Sequence, residues 1–286
     1  MSESFPMMSF YEKRLVRVLD YIHDHPADDL SLDVLADVAA FSRFHWHRVF
    51  RAMTGETTAA AVRRVRLHHA SIALVQTDQS VISVACAVGY PNAASFTRAF
   101  TLHYAATPAA FRNRGELRPF SRSSIPRITA MHPIDIRAEP TRRFAAMPHK
   151  GPYPEISRAF GRLSTTMAAR ALFADAGHMV GVFYDDPSAT ALADLRSHAG
   201  FEMSGTAEID PPLETVTLPA GRHAVLTYKG PYAGLPAAYD QLYSVWLPAS
   251  DELPADAPAF EVYLNSPLHT AADDLITELH LPLAPK

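Results

Sequence analysis

The sequence contains a single cysteine, Cys86, among its 286 residues. One thiol cannot form an internal disulfide, and it excludes any metal site or redox centre built from several thiolates. Uninterrupted apolar stretches are also short, and none approaches the roughly 20 residues that a membrane-spanning helix requires. The first residues are polar and lack the charged and apolar regions of a secretory signal. These absences predict a cytoplasmic protein that does not enter a membrane.

Lysine is nearly missing from the first half of the chain, where arginine supplies the positive charge. Residues 1–127 contain 15 basic side chains, of which only Lys13 is a lysine, against 11 acidic ones. Residues 128–286 hold the other 11 basic and 19 acidic side chains, so net charges of +4 and −8 sum to −4. Arginine suits bidentate contacts to phosphate or guanine. The first half is therefore a candidate for nucleic-acid binding, and a solvated basic face is the alternative.

Helical periodicity dominates the first 114 residues. Leu15, Val18, Leu19 and Ile22 recur with the spacing of an amphipathic helix over residues 10–25. Capping residues and apolar spacing predict further helices over residues 32–40, 43–53, 58–76, 81–88 and 93–104. This part of the chain is therefore predicted to be an all-α domain.

Two of the predicted helix pairs are copies of each other at an offset of 50 residues. Equivalent positions carry matching residue types: Ser42, Trp46, Arg48 and Phe50 in the first copy, and Asn92, Phe96, Arg98 and Phe100 in the second. These positions are a helix cap, a core aromatic, an outward arginine and a second core aromatic. Their agreement at one offset indicates a duplicated helix–turn–helix. The second helix of each copy is expected to enter the major groove of DNA. The helix over 58–76 would hold these two helices about 34 Å apart.

Three segments in this half are characteristic in residue type and order: FSRFHWHRVF at 41–50, SFTRAF at 95–100 and TPAAFR at 107–112. They resemble the AraC-type DNA-binding domain, a homeodomain-like double helix–turn–helix, over about residues 10–112. The resemblance implies that outward-facing residues of both helices contact double-stranded DNA, and it implicates Phe44, His47, Arg48, Asn92, Ser95, Thr97 and Arg98. Helical spacing adds Arg43 and Arg51, which are also expected on the outer face. Ala93 and Ala94 depart from the polar residues usual in the family. Methyl contacts or shape readout would replace hydrogen bonds there.

Other conspicuous residues of this half have structural explanations. Helical spacing predicts that His45 and Trp46 belong to the core. Cys86 occupies the position of Ala36 in the first copy, which favours a small core residue over a redox sensor. The neighbouring histidines at 68 and 69 point in different directions on a helix, so no metal site is predicted there.

The second half begins after a linker and contains a repeat of its own. Residues 113–133 combine basic, Ser and Pro residues without a sustained period, which predicts the linker. The tetrapeptide KGPY at 150–153 returns at 229–232, an offset of 79, and further matches follow at an offset of 80. Each copy is predicted to contain a strand, a Gly-Pro turn, a helix and further strands. The predicted helices cover 156–171 and 235–246, and the predicted strands include 144–148, 180–184, 223–228 and 260–264.

Alternation in the last of these strands places Glu261 and Tyr263 on one face. Because Gly181 and Phe183 occupy the equivalent positions of the first copy, a concave and mostly apolar space with one acid is expected. A carboxylate buried there would raise its pKa or pair with a cation, which aromatic rings would also attract. An exposed Glu261 paired with arginine or lysine is the alternative.

Three segments, KGPY at 150–153, GVFYDDP at 181–187 and FEVYL at 260–264, resemble the GyrI-like small-molecule-binding domain over about residues 134–282. The resemblance implies a pocket between the two repeats that accepts aromatic and often cationic compounds above a carboxylate. It assigns ligand contacts to Glu261, Tyr263, Pro152 and Phe160. The aromatic excess of this half adds Tyr232 and Trp246.

The sequence thus predicts two domains of different class. An all-α double helix–turn–helix domain covers 8–114, a linker covers 115–133, and an α+β GyrI-like domain of two repeated strand-helix-strand-strand units covers 134–286. The predicted function is sequence-specific regulation of transcription, with double-stranded DNA, a small effector and RNA polymerase as partners. No cofactor, metal or catalytic residue is expected. The alternatives are a hydrolase of electrophilic natural products using Glu261 and Tyr263, and a regulator whose C-terminal domain is purely structural.

Overall fold

The computed structural model describes residues 10–115 and 131–286, except residues 186, 188, 189, 206 and 268. These residues form two compact units. The helical unit contains residues 10–41 and 53–115, and the sheet unit contains residues 42–52 and 131–286. Residues 42–52, which include most of the first predicted DNA-recognition helix, therefore make their main contacts with the second half of the chain.

Seven α-helices occupy the described residues before position 116. They are α1 (Phe10–Asp24), α2 (Leu32–Ala39), α3 (Trp46–Thr54), α4 (Thr58–Gln76), α5 (Val81–Ala87), α6 (Ala93–Tyr104) and α7 (Pro108–Arg114). Four of the helices begin after a residue whose side-chain oxygen accepts a hydrogen bond from the backbone N–H three residues on, namely Thr57, Ser80, Asn92 and Thr107. Such caps satisfy N–H groups that the helix itself leaves unpaired.

Aromatic and aliphatic side chains of α4 to α7 form the core of the helical unit. Phe96 and Phe100 of α6 are fully buried and pack with Leu67 and Leu74 of α4. The predicted inward direction of both phenylalanines is confirmed. Gly89 lies in the turn before α6 with φ of +76°, and a Cβ there would come within 2.7 Å of the Pro26 carbonyl oxygen. Only glycine fits this turn without strain.

Two details of the first half differ from the sequence-based expectations. Helix α3 begins at Trp46 rather than at 43, because a turn precedes it in which the N–H groups of His45 and Trp46 both donate to the Ser42 carbonyl. Cys86 is exposed, so its prediction as a core residue is wrong. Helix α5 spans only seven residues and buries Val84 and Ala85, which leaves the next position facing solvent.

The sheet unit is built on one antiparallel sheet of eight strands in the order β1-β6-β8-β7-β3-β4-β2-β5. The strands are β1 (Ile134–Glu139), β2 (Arg142–Lys150), β3 (Ala176–Phe183), β4 (Arg196–Met203), β5 (Glu214–Leu218), β6 (Gly221–Lys229), β7 (Phe260–Tyr263) and β8 (Ile276–Leu283). Helix α8 (Ser157–Ala169) follows β2, and α9 (Leu235–Gln241) follows β6. A π-helical turn (Leu242–Trp246) and α10 (Leu247–Ala249) continue α9. The predicted helix over 235–246 is thus interrupted in its second half.

The strand order confirms the predicted duplication. In one half of the sheet lie β2, β3, β4 and β5, which mirror β6, β7, β8 and β1 of the other half, so that β3 and β7 meet in the middle. Equivalent contacts recur in both copies: Lys150 Nζ lies 2.8 Å from Asp194, and Lys229 Nζ lies 2.8 Å from Asp274. The Gly151 and Gly230 N–H groups each donate over 2.9 Å to an equivalent leucine carbonyl. The predicted fold class, an α-helical domain followed by a duplicated α+β domain, is confirmed.

Candidate functional site

A buried carboxylate lies at the centre of the sheet unit. Glu261 of β7 is 5% exposed, and it pairs directly with Gly181 of β3, the strand of the other repeat. Tyr263 donates a hydrogen bond over 2.7 Å to Glu261 Oε2, and Tyr239 donates one over 3.2 Å to Oε1. Both carboxylate oxygens are therefore held by phenols. The alternative of an exposed Glu261 paired with arginine or lysine is wrong, because the side chain is buried.

Glycine at position 181 makes room for one of these phenols. A Cβ at this position would lie 2.9 Å from Tyr263 Oη and 2.9 Å from the Phe183 ring. Such distances are shorter than side-chain contacts normally allow, so a larger residue would push Tyr263 away from the carboxylate. The glycine of the first repeat, which lies opposite Glu261 of the second, thus lets Tyr263 reach the carboxylate.

Aromatic rings from both repeats surround Tyr263. Phe160 of α8 lies edge-on at 5.8 Å between ring centroids, and Tyr232, just before α9, lies at 5.4 Å. The structure therefore brings together four of the six predicted ligand contacts, namely Phe160, Tyr232, Glu261 and Tyr263. Pro152 precedes the 3-10 turn Tyr153–Ile156, and Trp246 ends the π-helical turn; both are half-buried. Their assignment to the ligand stays a prediction.

Two tyrosines of the site were missed from the sequence. Tyr239 and Tyr243 are four residues apart, so they lie on one face of the helix, and their rings are nearly parallel at 6.5 Å. The Arg48 guanidinium lies 4.4 Å from the Tyr239 ring centroid and 5.2 Å from that of Tyr243. The four-residue spacing of these tyrosines could have identified them from the sequence, since it places two rings side by side on one face of the predicted helix.

The segment that carries Arg48 is tied to the sheet unit by further polar contacts. His45 is fully buried, its Nε2 lies 2.9 Å from the Ala257 carbonyl oxygen, and its Nδ1 lies 2.7 Å from Tyr243 Oη. Burial and the nearby Arg48 charge lower the pKa of His45 to about 3, so the ring is neutral. A neutral ring has one N–H, and a carbonyl can only accept. Nε2 therefore donates to Ala257, and Nδ1 accepts from Tyr243.

Burial is also the main influence on the acid. It raises the pKa of Glu261 to about 7, although the phenols of Tyr263 and Tyr239 and the charge of Arg48 favour the ionised form. Burial and the adjacent carboxylate hold the pKa values of Tyr239 and Tyr263 well above their ordinary value. Both phenols are thus permanent donors, and near neutral pH the carboxyl group is poised between its two forms. A bound cation would fix it in the ionised form.

The predicted DNA contacts on α6 lie on its outer face. Asn92 and Arg98 are exposed, and Ser95 and Thr97 are half-buried. Asn92 Oδ1 also caps the helix by accepting from the Ser95 N–H over 2.8 Å. A shallow groove runs along the same face and is lined by Ala93, Ala94, Thr97, Arg98, Thr101, Leu102 and Ala105.

The predicted DNA contacts around α3 are placed differently. Arg43 and Arg51 are exposed and Phe44 is half-buried, but His47 is only 4% exposed and Arg48 is half-buried against tyrosine rings. The expectation that His47 and Arg48 are free on an outer face is wrong. Helical spacing identified one buried face, that of Trp46, Val49 and Phe50. It could not show that a second face packs against other parts of the sheet unit.

Among the residues that the structure describes, no three or more His, Cys, Asp or Glu side chains are arranged to hold a metal ion. Across the same ranges, each helix is too short or too polar to cross a membrane.

Comparison with known families matches both halves of the chain. Residues 132–284 match the GyrI-like small molecule binding domain, and residues 35–114 match a helix-turn-helix domain family. The first of these matches covers more than half of the 286 residues.

Two proteins show the similarity at the sequence level. An uncharacterized HTH-type transcriptional regulator of Bacillus subtilis, YbfP, is 33% identical over 103 residues, which cover 36% of this chain and 35% of that protein. A probable transcription factor of Proteus vulgaris, PqrA, is 33% identical over 90 residues, 32% of this chain and 74% of that protein. The similarity thus spans about a third of YbfP and three quarters of PqrA. Among solved structures, the EcmrR C-terminal domain covers 55% of this chain and 100% of its own, with 14% identity and a TM-score of 0.45.

Proposed function

The chain belongs to the GyrI-like small-molecule-binding family and carries an AraC-type helix–turn–helix domain, and we propose that it is a transcriptional regulator controlled by a small aromatic cation. In this proposal residues 8–114 bind double-stranded DNA, residues 115–133 link the domains, and residues 134–286 bind the effector. The protein would act in the cytoplasm, together with RNA polymerase. The observation that carries the effector assignment is the buried Glu261, held by two phenols and enclosed by aromatic rings.

The chemistry of the site favours an aromatic cation over other small molecules. A carboxylate removed from water is costly unless a positive charge accompanies it. The faces of Tyr232, Tyr239 and Tyr263 offer the negative side of their ring quadrupoles, and desolvated cation–π contacts are worth about 2 kcal/mol. Arg48 on Tyr239 is evidence that this surface accepts a planar cation. An anion would meet the field of Glu261 and be repelled.

Effector binding is tested with tetraphenylphosphonium as a hydrophobic cation and triphenylphosphine oxide as a neutral molecule of similar character. Titration calorimetry on the full chain should give saturable binding of the cation and at most weak binding of the neutral compound. Glu261→Gln should weaken cation binding at least tenfold, or about 1.4 kcal/mol. The matched control is Glu214→Gln on β5, a more exposed carboxylate that should leave the affinity unchanged. Equal binding of both ligands, or equal loss in both variants, would contradict the proposal.

DNA binding is proposed for the outer face of α6 with Arg98, Asn92, Ser95 and Thr97, and for Arg43, Phe44 and Arg51. For His47 and Arg48, we propose DNA contacts only in a form of the protein that exposes both side chains. Selection from a random duplex pool, followed by sequencing, should enrich one motif. Arg98→Ala should weaken binding to it by roughly 1–3 kcal/mol, whereas Arg17→Ala on α1 should not. Recovery of no motif would refute the proposal.

A hydrolase is the second candidate, and one observation favours it. Tyr263 and Glu261 form a hydrogen-bonded pair of 2.7 Å whose carboxyl pKa is raised to about 7, which is the range of a general acid or base. We assign this pair to ligand binding because a cation, the Arg48 guanidinium, already lies on Tyr239, which also contacts Glu261. Incubation with small epoxides, followed by mass spectrometry, separates the candidates: hydrolysis that Glu261→Gln abolishes would favour the enzyme.

A further inference from the structure

The arginine of the first proposed DNA-recognition helix is itself part of the candidate effector site. Arg48 is half-buried, with its guanidinium 4.4 Å from the Tyr239 ring centroid and 5.2 Å from that of Tyr243. Its positive charge also acts on Glu261 and favours the ionised carboxylate. A residue expected to contact DNA thus makes the interactions that a cationic aromatic ligand would make.

Tyr239 joins the arginine to the acid. The face of its ring contacts the Arg48 guanidinium, and its hydroxyl group donates a hydrogen bond to Glu261 over 3.2 Å. Three side chains therefore connect α3 to the centre of the sheet unit. A ligand that enters above Glu261 and displaces or turns Tyr239 removes the surface on which Arg48 lies.

Hydrogen bonds also join residues 42–52 to other parts of the sheet unit. Ser42 Oγ donates to Asp256 over 3.0 Å, and His45 bridges Tyr243 and the Ala257 carbonyl. Tyr243 accordingly supports both His45 and Arg48. Movement of the tyrosine pair would loosen several of these contacts together.

We propose that Arg48 is the internal occupant of the cation position in the effector site, and that a cationic effector displaces it and releases residues 42–52 from the sheet unit. This inference rests on the proposed function, because it concerns the same site. One carboxylate balances one positive charge, so the guanidinium and an incoming cation compete. The same guanidinium cannot lie on Tyr239 and contact DNA, so release of the segment makes the first recognition helix available. Arg98, at the equivalent position of the second copy, is already exposed.

The test measures affinity for tetraphenylphosphonium on the full chain at pH 9, where Glu261 is ionised with or without the Arg48 charge. Arg48→Met keeps most of the side-chain volume and removes the charge, so the competitor is lost. Affinity should rise by about threefold to thirtyfold, the range that corresponds to one cation–π contact. Arg51→Met, an exposed arginine one turn along the same helix, is the matched control and should bind like the wild type. Arg48→Gln also removes the charge, and it should bind the ligand severalfold more tightly than wild type even if Arg48→Met fails to fold.

A second readout follows the segment itself. Hydrogen–deuterium exchange of peptides within 42–52 should accelerate when wild-type protein is saturated with tetraphenylphosphonium, while peptides of α6 keep their rates. Unchanged affinity in both Arg48 variants, or slower exchange of 42–52 with ligand, would overturn the inference. The two proposals fail in different ways. If Glu261→Gln weakens binding but Arg48 variants do not strengthen it, only the displacement is wrong. If wild type and Glu261→Gln bind equally, the effector site itself is wrong.

Discussion

Replacing Glu261 with glutamine removes the charge of the site while keeping the shape of the side chain and one acceptor for the phenols. The wild-type carboxyl group has its pKa raised to about 7, chiefly by burial. A group with this pKa is ionised in about one tenth of molecules at pH 6 and about nine tenths at pH 8. Because a cation binds the ionised form, wild-type affinity for tetraphenylphosphonium should rise roughly tenfold between these two values.

The other groups that face Glu261 do not titrate in this window. Tyr263 from the same strand and Tyr239 from α9 have pKa values well above the ordinary one, and His45 beside Arg48 has a pKa of about 3. The pH dependence should therefore disappear in Glu261→Gln. Calorimetric titrations in two buffers of different ionisation enthalpy count the protons released, and wild type at pH 6 should release close to one per cation. A variant that kept the same slope with pH would refute the assignment of the charge to Glu261.

Three further predictions concern stability and are measured by chemical denaturation. Glu261→Gln should stabilise the protein at pH 8 by up to about 3 kcal/mol and have little effect at pH 4, because a carboxyl whose pKa is raised on folding destabilises the folded state progressively as pH rises from 4.5 to about 7, and fully above that; stabilisation that is equal at both values would contradict this sign. Gly181→Ala should cost roughly 1–3 kcal/mol, since its Cβ would lie 2.9 Å from Tyr263 Oη. Gly161→Ala within α8 meets no atom within 4 Å and should instead stabilise by about 1 kcal/mol, so a loss in both variants would show that packing at 181 is not the cause. Asn92→Ala should cost about 1 kcal/mol through loss of the α6 cap, and Asn92→Asp should retain stability.

The parts of the fold that depend on local periodicity could be predicted from the sequence. Phe96 and Phe100 are buried because three-to-four-residue spacing determines one face of a helix, and Glu261 and Tyr263 share a face because strand alternation has a period of two. Both inferences need only neighbouring residues. The repeats supplied the long-range information, since two similar copies imply a symmetric arrangement of strands.

Features that depend on contacts between distant segments could not be predicted in the same way. Arg48 has the spacing of an outward residue, and nothing local shows that Tyr239, almost two hundred residues later, covers it. His47 is also buried, contrary to the direction that helical spacing predicts. Cys86 illustrates the limit of alignment within a repeat: it matches the buried Ala36, yet it is exposed, and Val84 and Ala85 are the buried residues of α5.

Divergence between the two repeats explains why the site contains a single acid. Gly181 and Glu261 occupy equivalent positions and face each other across the central strand pair. Side chains at such directly opposed positions have Cβ atoms only about 4.5–5.5 Å apart. Two glutamates here would place two carboxylates side by side in a buried space, and one of them would have to take up a proton. With glycine in one copy, the site keeps one negative charge and gains room for the Tyr263 hydroxyl. In the proposed displacement, this one negative charge attracts one positive charge at a time, that of Arg48 or that of an effector. A singly charged ligand should therefore bind at least as tightly as a doubly charged ligand of the same size.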